Sequence, residues 1–258
     1  MIQVHPIHAF NDNYIWIIHN KDHAVVVDPG DALPVLRYLD DNNLHLIAIL
    51  ITHHHNDHVG GNAALLEKFS VPVYGPANES IATLTHHISE GEKVQLDKLS
   101  LSLSVLDVPG HTAGHIAYHG SINKNSVLFC GDTLFVCGCG RIFEGTAPQM
   151  YVSLQKLVNL PDETLVYCTH EYTLSNISFS RTVDPENTRL EKLEIKMQDL
   201  RHRGIPTLPS SIATEKINNP FLRCDQPAII SSVSNHVNKT LSEPVEVFAA
   251  LRQWKNTF

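Results

Sequence analysis

The sequence predicts an α+β protein whose strand-rich first two thirds lead into an all-helical C-terminal third. Apolar runs of strand length recur between turn signals up to residue 170, beginning with Tyr14–Ile18 and Ala24–Val27. Four such runs end in histidine or aspartate. Beyond Glu171 the texture shifts to longer, more charged segments with helical spacing. These observations divide the chain into residues 1–170, a strand-rich domain with His and Asp at its strand ends, and 171–258, a smaller helical domain.

The first two runs are joined through Asn20-Lys21-Asp22, and Asp28-Pro29-Gly30 stops the second while presenting a carboxylate. Leu33 to Leu39 carries helical spacing, as does the segment from Ala63 to Phe69. Further strands are expected at 71–74, at 101–108 with alternating serines, and at 116–118, 127–130 and 165–168. Tyr151 to Leu160 reads as an amphipathic helix. Helices are also expected from Glu186 to Arg203, stopped by Gly204, and over 228–237 and 245–254.

Composition narrows the function. A hydrophobic fraction of 43% suits a globular protein with a full core, and a net charge of −8 argues against nucleic acid as the main partner. Five cysteines, an odd number in 258 residues, do not read as a disulfide framework. The N-terminus lacks the basic and apolar regions of a signal peptide, and no run reaches membrane-spanning length. A reduced, cytoplasmic protein is expected. The outlier is histidine, with 17 residues.

Thr52-His53-His54-His55-Asn56-Asp57-His58 sets four histidines and an aspartate at the end of the apolar run 46–51. Crowded imidazoles repel when protonated and lose hydration when neutral, so packing alone gives no reason for them. A metal ion gives each lone pair a partner. Three other strand ends add His111 and His115, Asp132, and His170. This inventory exceeds what one tetrahedral ion uses, and its His and Asp character suits two catalytic ions with a bridging carboxylate. Spacing alone leaves His111 and His115 interchangeable.

Together these motifs resemble the metallo-β-lactamase superfamily. Phe10-Asn11-Asp12-Asn13-Tyr14, the run Gly138 to Thr146, His170-Glu171-Tyr172, Asn219 to Arg223 and Leu251 to Lys255 resemble, more narrowly, its hydroxyacylglutathione hydrolase (glyoxalase II) family. The resemblance spans residue 2 to the C-terminus. It implies an αββα sandwich followed by the helical domain. It implies a first metal at His53, His55 and His111, a second at Asp57, His58 and His170, and Asp132 bridging both. Asp57 and Asp132 then count as catalytic. The ions would be zinc, with iron or manganese as alternatives. His54 should alternate away from its neighbours if the segment stays extended. Asp28 is either an orienting partner or a plain turn aspartate, and Cys137 and Cys139 are read as structural.

The resemblance further implies action on a glutathione thioester in the second step of methylglyoxal detoxification; a monomer is expected, and charge and run lengths give no nucleic-acid or membrane partner. Arg141, Phe143, Tyr172, Arg252 and Lys255 match its substrate-binding positions, Phe143 standing where relatives often carry tyrosine. A thiolate with a pKa near roughly 8.5 leaves without much help from an acid, which fits motifs that offer no obvious proton donor. Two rivals remain: a sulfur dioxygenase of the same superfamily, disfavoured by the complete second ligand set, and a non-enzymatic metal-binding module.

Overall fold

The computed structural model describes residues 1–258. The first sheet runs in chain order: β1 (Gln3–Ala9), β2 (Asn13–His19), β3 (His23–Val27), β4 (His45–Leu50), β5 (Val73–Pro76) and β6 (His86–Ile88). Its first three strands are antiparallel, and β3 to β6 pair in parallel. The second sheet begins with β7 (Lys93–Leu96), β8 (Leu101–Asp107), β9 (Ile116–Ile122) and β10 (Asn125–Gly131). After a two-strand hairpin, β11 (Leu134–Phe135) and β12 (Gly138–Cys139), it gains β13 (Leu165–Cys168) and β14 (Ser210–Ser211). Its order is β14-β13-β10-β9-β8-β7.

Strand alternation explains how the layers pack. In β2, Tyr14, Trp16 and Ile18 face the large core between the sheets, while Ile15 and Ile17 join a second core on the opposite face. That second core is closed by α1 (Ala32–Asp41) through Val35 and Leu39, and by Leu65 of α3 (Asn62–Leu66). A single-turn α2 (Asn56–Val59) precedes α3. With both faces buried, β2 and β3 read as unbroken apolar runs rather than as alternating ones. The Trp16 indole N–H donates to the carbonyl of Cys168 at 2.9 Å, tying the first sheet to the second. The architecture is the expected αββα sandwich.

α4 (Ala147–Val158) begins with a capping box, Thr146 with Gln149, and buries Met150, Leu154 and Leu157. The chain then adds α5 (Thr173–Val183), α6 (Thr188–His202), α7 (Ile212–Asn218), α8 (Pro227–Val237) and α9 (Pro244–Thr257). Their buried residues, among them Phe179, Phe248 and Leu251, and Phe221 of the 3-10 turn Pro220–Leu222 belong to the same 51-residue cluster as Trp16 and Phe129. The helical segment therefore shares its core with the second sheet.

Several elements depart from expectation. The helix expected to reach Phe69 ends at Leu66, and the strand expected at 71–74 starts at Val73. The 116–118 strand runs on to Ile122, and the long charged helix covers 188–202, with Arg203 as its C-cap. β1, β6, β7, β14, α5, α7 and the β11–β12 hairpin had no counterpart in the sequence reading.

Glu215 of α7 is wholly buried, where it accepts from the backbone N–H of Cys137 at 2.8 Å and from Asn219 Nδ2 at 3.1 Å. Burial pushes its carboxyl up to about 7, even though these bonds and one from Ser210 favour the charged form. Because the folded-state value is raised, the folded protein holds the proton more tightly than the unfolded chain. Its contribution to stability is complete below about 4.5 and is lost as pH rises through about 7. Glu215→Gln removes this titration, so its melting temperature relative to wild type should climb between pH 5 and pH 8. The full span corresponds to about 3 kcal/mol. A parallel pH series of thermal melts checks it.

Candidate metal centre

The ligand loops all leave the same end of the sandwich. β4 delivers Thr52-His53, and this exit is pinned by Asp28. Asp28 sits at φ 52° just past β3, accepting from the Thr52 N–H at 2.8 Å and the Thr52 hydroxyl at 2.7 Å. The β8–β9 turn carries His111, β10 ends at Gly131-Asp132, and β13 ends just before His170. Gly131 has φ 49°, and a Cβ there would lie 2.4 Å from Thr52 Oγ1, so only glycine lets this turn approach the β4 loop.

Two groups of donors form. His53, His55 and His111 bring ring nitrogens together, with His55 Nδ1 3.1 Å from His53 Nε2 and 3.0 Å from His111 Nε2. Asp57, His58 and His170 form the second group, with both imidazole Nε2 atoms 3.5 Å from Asp57 Oδ2. Asp132 lies between them. Its Oδ1 is 3.5 Å from His58 Nε2 and 3.4 Å from His170 Nε2, and its Oδ2 is 3.5 Å from His111 Nε2. All seven residues expected as metal ligands thus converge.

The outward nitrogens fix which lone pairs face inward. His111 Nδ1 donates to the carbonyl of Arg141 at 2.7 Å, and His170 Nδ1 donates to Asp12 Oδ1 at 2.8 Å. His53 Nδ1 lies 3.0 Å from Thr52 Oγ1, whose hydrogen is already given to Asp28. In its neutral form each of these rings turns an acceptor lone pair inward, toward carboxylates that also accept. At His170 burial is outweighed by Asp132, which raises the ring's affinity for a proton. His58 is fully buried, with Nδ1 3.1 Å from Asp28 Oδ2, and neither ring nitrogen makes a well-formed hydrogen bond. Donors bonded at about 2.0–2.1 Å to a tetrahedral ion stand about 3.3 Å apart, close to the separations here. The residues fit divalent metal, and the donor set is nitrogen and oxygen only.

The electrostatics agree with a strongly negative focus. Burial would raise the Asp132 carboxyl, but His170 and His58 outweigh it and hold it below the ordinary carboxylate range. Asp57 is likewise held low, by His58 and Asn13 against the cost of burial. His53 is pushed well below its ordinary value, first by burial and then by His58 and His115. His58 moves the opposite way, since Asp132 and Asp28 overcome its burial.

Other expectations fall into place around this centre. His54 belongs to neither of these two groups; its ring nitrogens lie 3.0 Å from Glu79 Oε2 and 3.1 Å from Glu144 Oε1, and with His55 and Glu144 it forms a further, more exposed set of donors. His115 is buried, stacks on His53 at 4.5 Å, and accepts from the Asp132 N–H at 3.2 Å, so it supports the bridging carboxylate rather than joining either donor group. Asp28 places Oδ2 3.1 Å from His58 Nδ1 while accepting from Thr52. Cys137 and Cys139 are buried free thiols, as are the other three cysteines.

A cleft of about 660 Å³ opens over the donors. Arg141, Phe143, Tyr172, Arg252 and Lys255 line it together with His55, Asp57, His111, Asp132 and His170. Tyr172 stacks on His170 with ring centres 4.7 Å apart, and Phe143 packs edge-on against His55 and His111 at 5.5 and 5.3 Å. Arg252 is buried. It donates to the Cys139 carbonyl at 2.7 Å, and its Nε has no partner. The Lys255 ammonium lies 3.4 Å from Ser175 and has its pKa lowered by burial and by Arg252.

Two residues at the centre were given no role from sequence, Asp12 and Asn13. Asp12 orients His170, and Asn13 Nδ2 donates to Asp57 Oδ2 at 3.0 Å. Asp12 sits in the β1–β2 turn and Asn13 opens β2, where its backbone forms an isolated antiparallel bridge with His170. Their one signal was an amide and a carboxylate placed, like the ligands, at a strand end.

Two family models match the chain. A family model described as the metallo-beta-lactamase superfamily matches residues 9–170, and one described as hydroxyacylglutathione hydrolase C-terminus matches 171–258. A hydroxyacylglutathione hydrolase of Nitrosomonas eutropha is 60% identical over the whole of both chains. One of Aliivibrio fischeri is 53% identical, again with complete coverage. Among solved structures, ETHE1 from Myxococcus xanthus superposes with a TM-score of 0.66 at 27% identity, covering 100% of this chain and 99% of that one. The BLEG-1 B3 metallo-beta-lactamase gives 0.62 at 25% identity, covering 86% and 99%.

Removing the carboxylate that faces both donor groups should disturb both. Asp132→Ala is expected to carry fewer divalent ions per chain than wild type, whereas Asp12→Ala should weaken affinity by about 10–100-fold without abolishing it. Elemental analysis and chelator competition on the purified proteins distinguish the two.

Proposed function

We propose a reaction for this cleft on the premise that the chain belongs to the hydroxyacylglutathione hydrolase family of the metallo-β-lactamase superfamily. The protein is a metal-dependent hydrolase. It cleaves S-(2-hydroxyacyl)glutathione, S-D-lactoylglutathione foremost, to glutathione and a 2-hydroxy acid, D-lactate. The observation that carries this reading is one cleft lined both by five of the seven donors, with His53 and His58 buried behind them, and by three cationic side chains, Arg141, Arg252 and Lys255. A protein of net charge −8 has little reason to gather cations beside carboxylates unless an anionic ligand sits there.

His53, His55 and His111 would hold one ion and Asp57, His58 and His170 a second, with Asp132 between them; we assign zinc, which an all-nitrogen and oxygen donor set accepts as it does iron or manganese. Divalent ions bound there supply a water that ionises near neutral pH and a Lewis acid for the thioester carbonyl. The chain's own side chains do the rest. Asp132 and Asp57 keep negative charge at the focus, and Asn13 fixes Asp57 by its 3.0 Å bond. Arg141, Arg252 and Lys255 hold the two carboxylates of the glutathione arm, and Tyr172 and Phe143 flank it with ring faces. The glutathione thiolate leaves without a protein acid, since its conjugate thiol has a pKa near roughly 8.5.

The domain assignment follows: residues 1–170 carry the metal chemistry, and 171–258 supply Tyr172, Arg252 and Lys255. Five unpaired cysteines suit a reducing compartment, so we place the enzyme in the cytoplasm. No helix is long and apolar enough to cross a membrane. The working unit is a monomer, which size-exclusion chromatography tests.

Purified protein should hydrolyse S-D-lactoylglutathione, and stoichiometric metal without turnover would instead favour a metal-binding module. Lys255→Ala should raise KM about tenfold with kcat nearly constant, the mark of a lost binding contact remote from the reacting carbon. Steady-state kinetics decide it, and an unchanged KM removes Lys255 from the binding site.

A further inference from the structure

His54 sits between two of the metal-facing histidines and is held at both ring nitrogens by carboxylates. Its Nδ1 lies 3.0 Å from Glu79 Oε2, and its Nε2 lies 3.1 Å from Glu144 Oε1. Glu79 is the deeper partner, its side chain only 2% exposed against 38% for Glu144. It follows β5 in the chain, far from any donor. Its second oxygen accepts from the Thr112 hydroxyl and from the Gly114 N–H at 3.2 Å. The approach is close: a Cβ on Gly114 would lie 2.5 Å from Glu79 Cγ. Glu144 completes the set by accepting from the Ala113 N–H at 3.0 Å.

These bonds join the loop that carries His53 and His55 to the turn that carries His111. The other donor group has separate supports, with Asp28 beside His58, Asn13 on Asp57 and Asp12 on His170. Ring nitrogens of His53 and His111 that crowd His55 Nδ1 at 3.1 and 3.0 Å repel it when all face it with lone pairs, and two loops carrying them will drift apart unless something outside the group restrains them. A buried carboxylate with hydrogen bonds to both loops is such a restraint, and burial makes its bonds stronger than those of an exposed pair.

We propose that Glu79, acting through His54 and the Thr112–Gly114 backbone, is the positioning residue for the His53/His55/His111 metal site and for that site alone. The inference rests on the reading that these three histidines hold an ion. Loss of a partner that orients metal ligands commonly lowers affinity by about 10–100-fold, and the same range is expected here for one of two bound equivalents. Affinity of the second equivalent stays within about threefold of wild type, and kcat falls more than KM rises.

The test measures chelator competition, metal content and melting temperature on the full-length metal-loaded enzyme, comparing wild type with Glu79→Gln and Thr112→Val. Glu79→Gln keeps the side chain's size, and Thr112→Val removes a single bond should the first variant fold poorly. His111→Ala supplies the reference for an emptied first site, and adding Glu79→Gln to it should leave the remaining ion's affinity unchanged. Wild-type protein that binds no ion at these histidines would defeat the metal assignment itself. Two ions bound with wild-type affinity in both Glu79→Gln and Thr112→Val, even with a lowered melting temperature, would defeat the positioning role alone. Equal weakening of both equivalents would also overturn it. So would a third equivalent lost in Glu144→Gln, since His54 and Glu144 would then be ligands themselves.

Discussion

The end of the sandwich is organised by a mismatch: a cluster of inward-facing acceptors with too few hydrogens to satisfy them, Asn13 giving one to Asp57 and Thr169 one to Asp132. His111 and His170 have each given their ring hydrogen to an outward partner, and Asp132 and Asp57 accept only. Left alone, such a cluster would pull in protons or water and spread apart. Divalent cations bound there would give these lone pairs partners and turn the same arrangement from a cost into a stabilising one. Everything nearby follows from holding it ready, from the left-handed Asp28 that pins the β4 exit to the glycine that lets β10 close on it.

Much of this centre was legible because its signals are local. An apolar run followed at once by His or Asp reports both the strand and what the strand presents, and four such ends were enough to infer a metal edge. The selection of His111 over His115 was not local. It depends on the His111 ring reaching the Arg141 carbonyl while His115 folds under Asp132, contacts between residues 30 and 17 positions apart. Asp12 and Asn13 escaped assignment for the same reason, their partners lying 158 and 44 residues away. Composition could mark them as polar, and only the closed β1–β2 turn shows what they touch.

The elements that went unread share a physical cause. β1 carries Pro6 and two histidines among its apolar residues, a pattern tolerable only because it lies at the sheet's edge. α5 buries Thr173, Asn176 and Ser180 along with Ile177 and Phe179, so no polar face alternates with an apolar one to announce a helix. Its small polar side chains are spent on the hairpin instead. Asn176 donates to the Val136 carbonyl, and Ser180 donates to that of Cys137.

The shared interior of the second sheet and the trailing helices has an implication for how such a chain can change over time. Phe179, Phe221 and Phe248 form one apolar body with residues of the sandwich. A descendant that shed these helices would bare a greasy flank and, with it, lose Arg252 and Lys255 from the cleft. Shortening of this kind would require simultaneous rewriting of the exposed flank in polar residues or a replacement cover, so the two halves are expected to be inherited together.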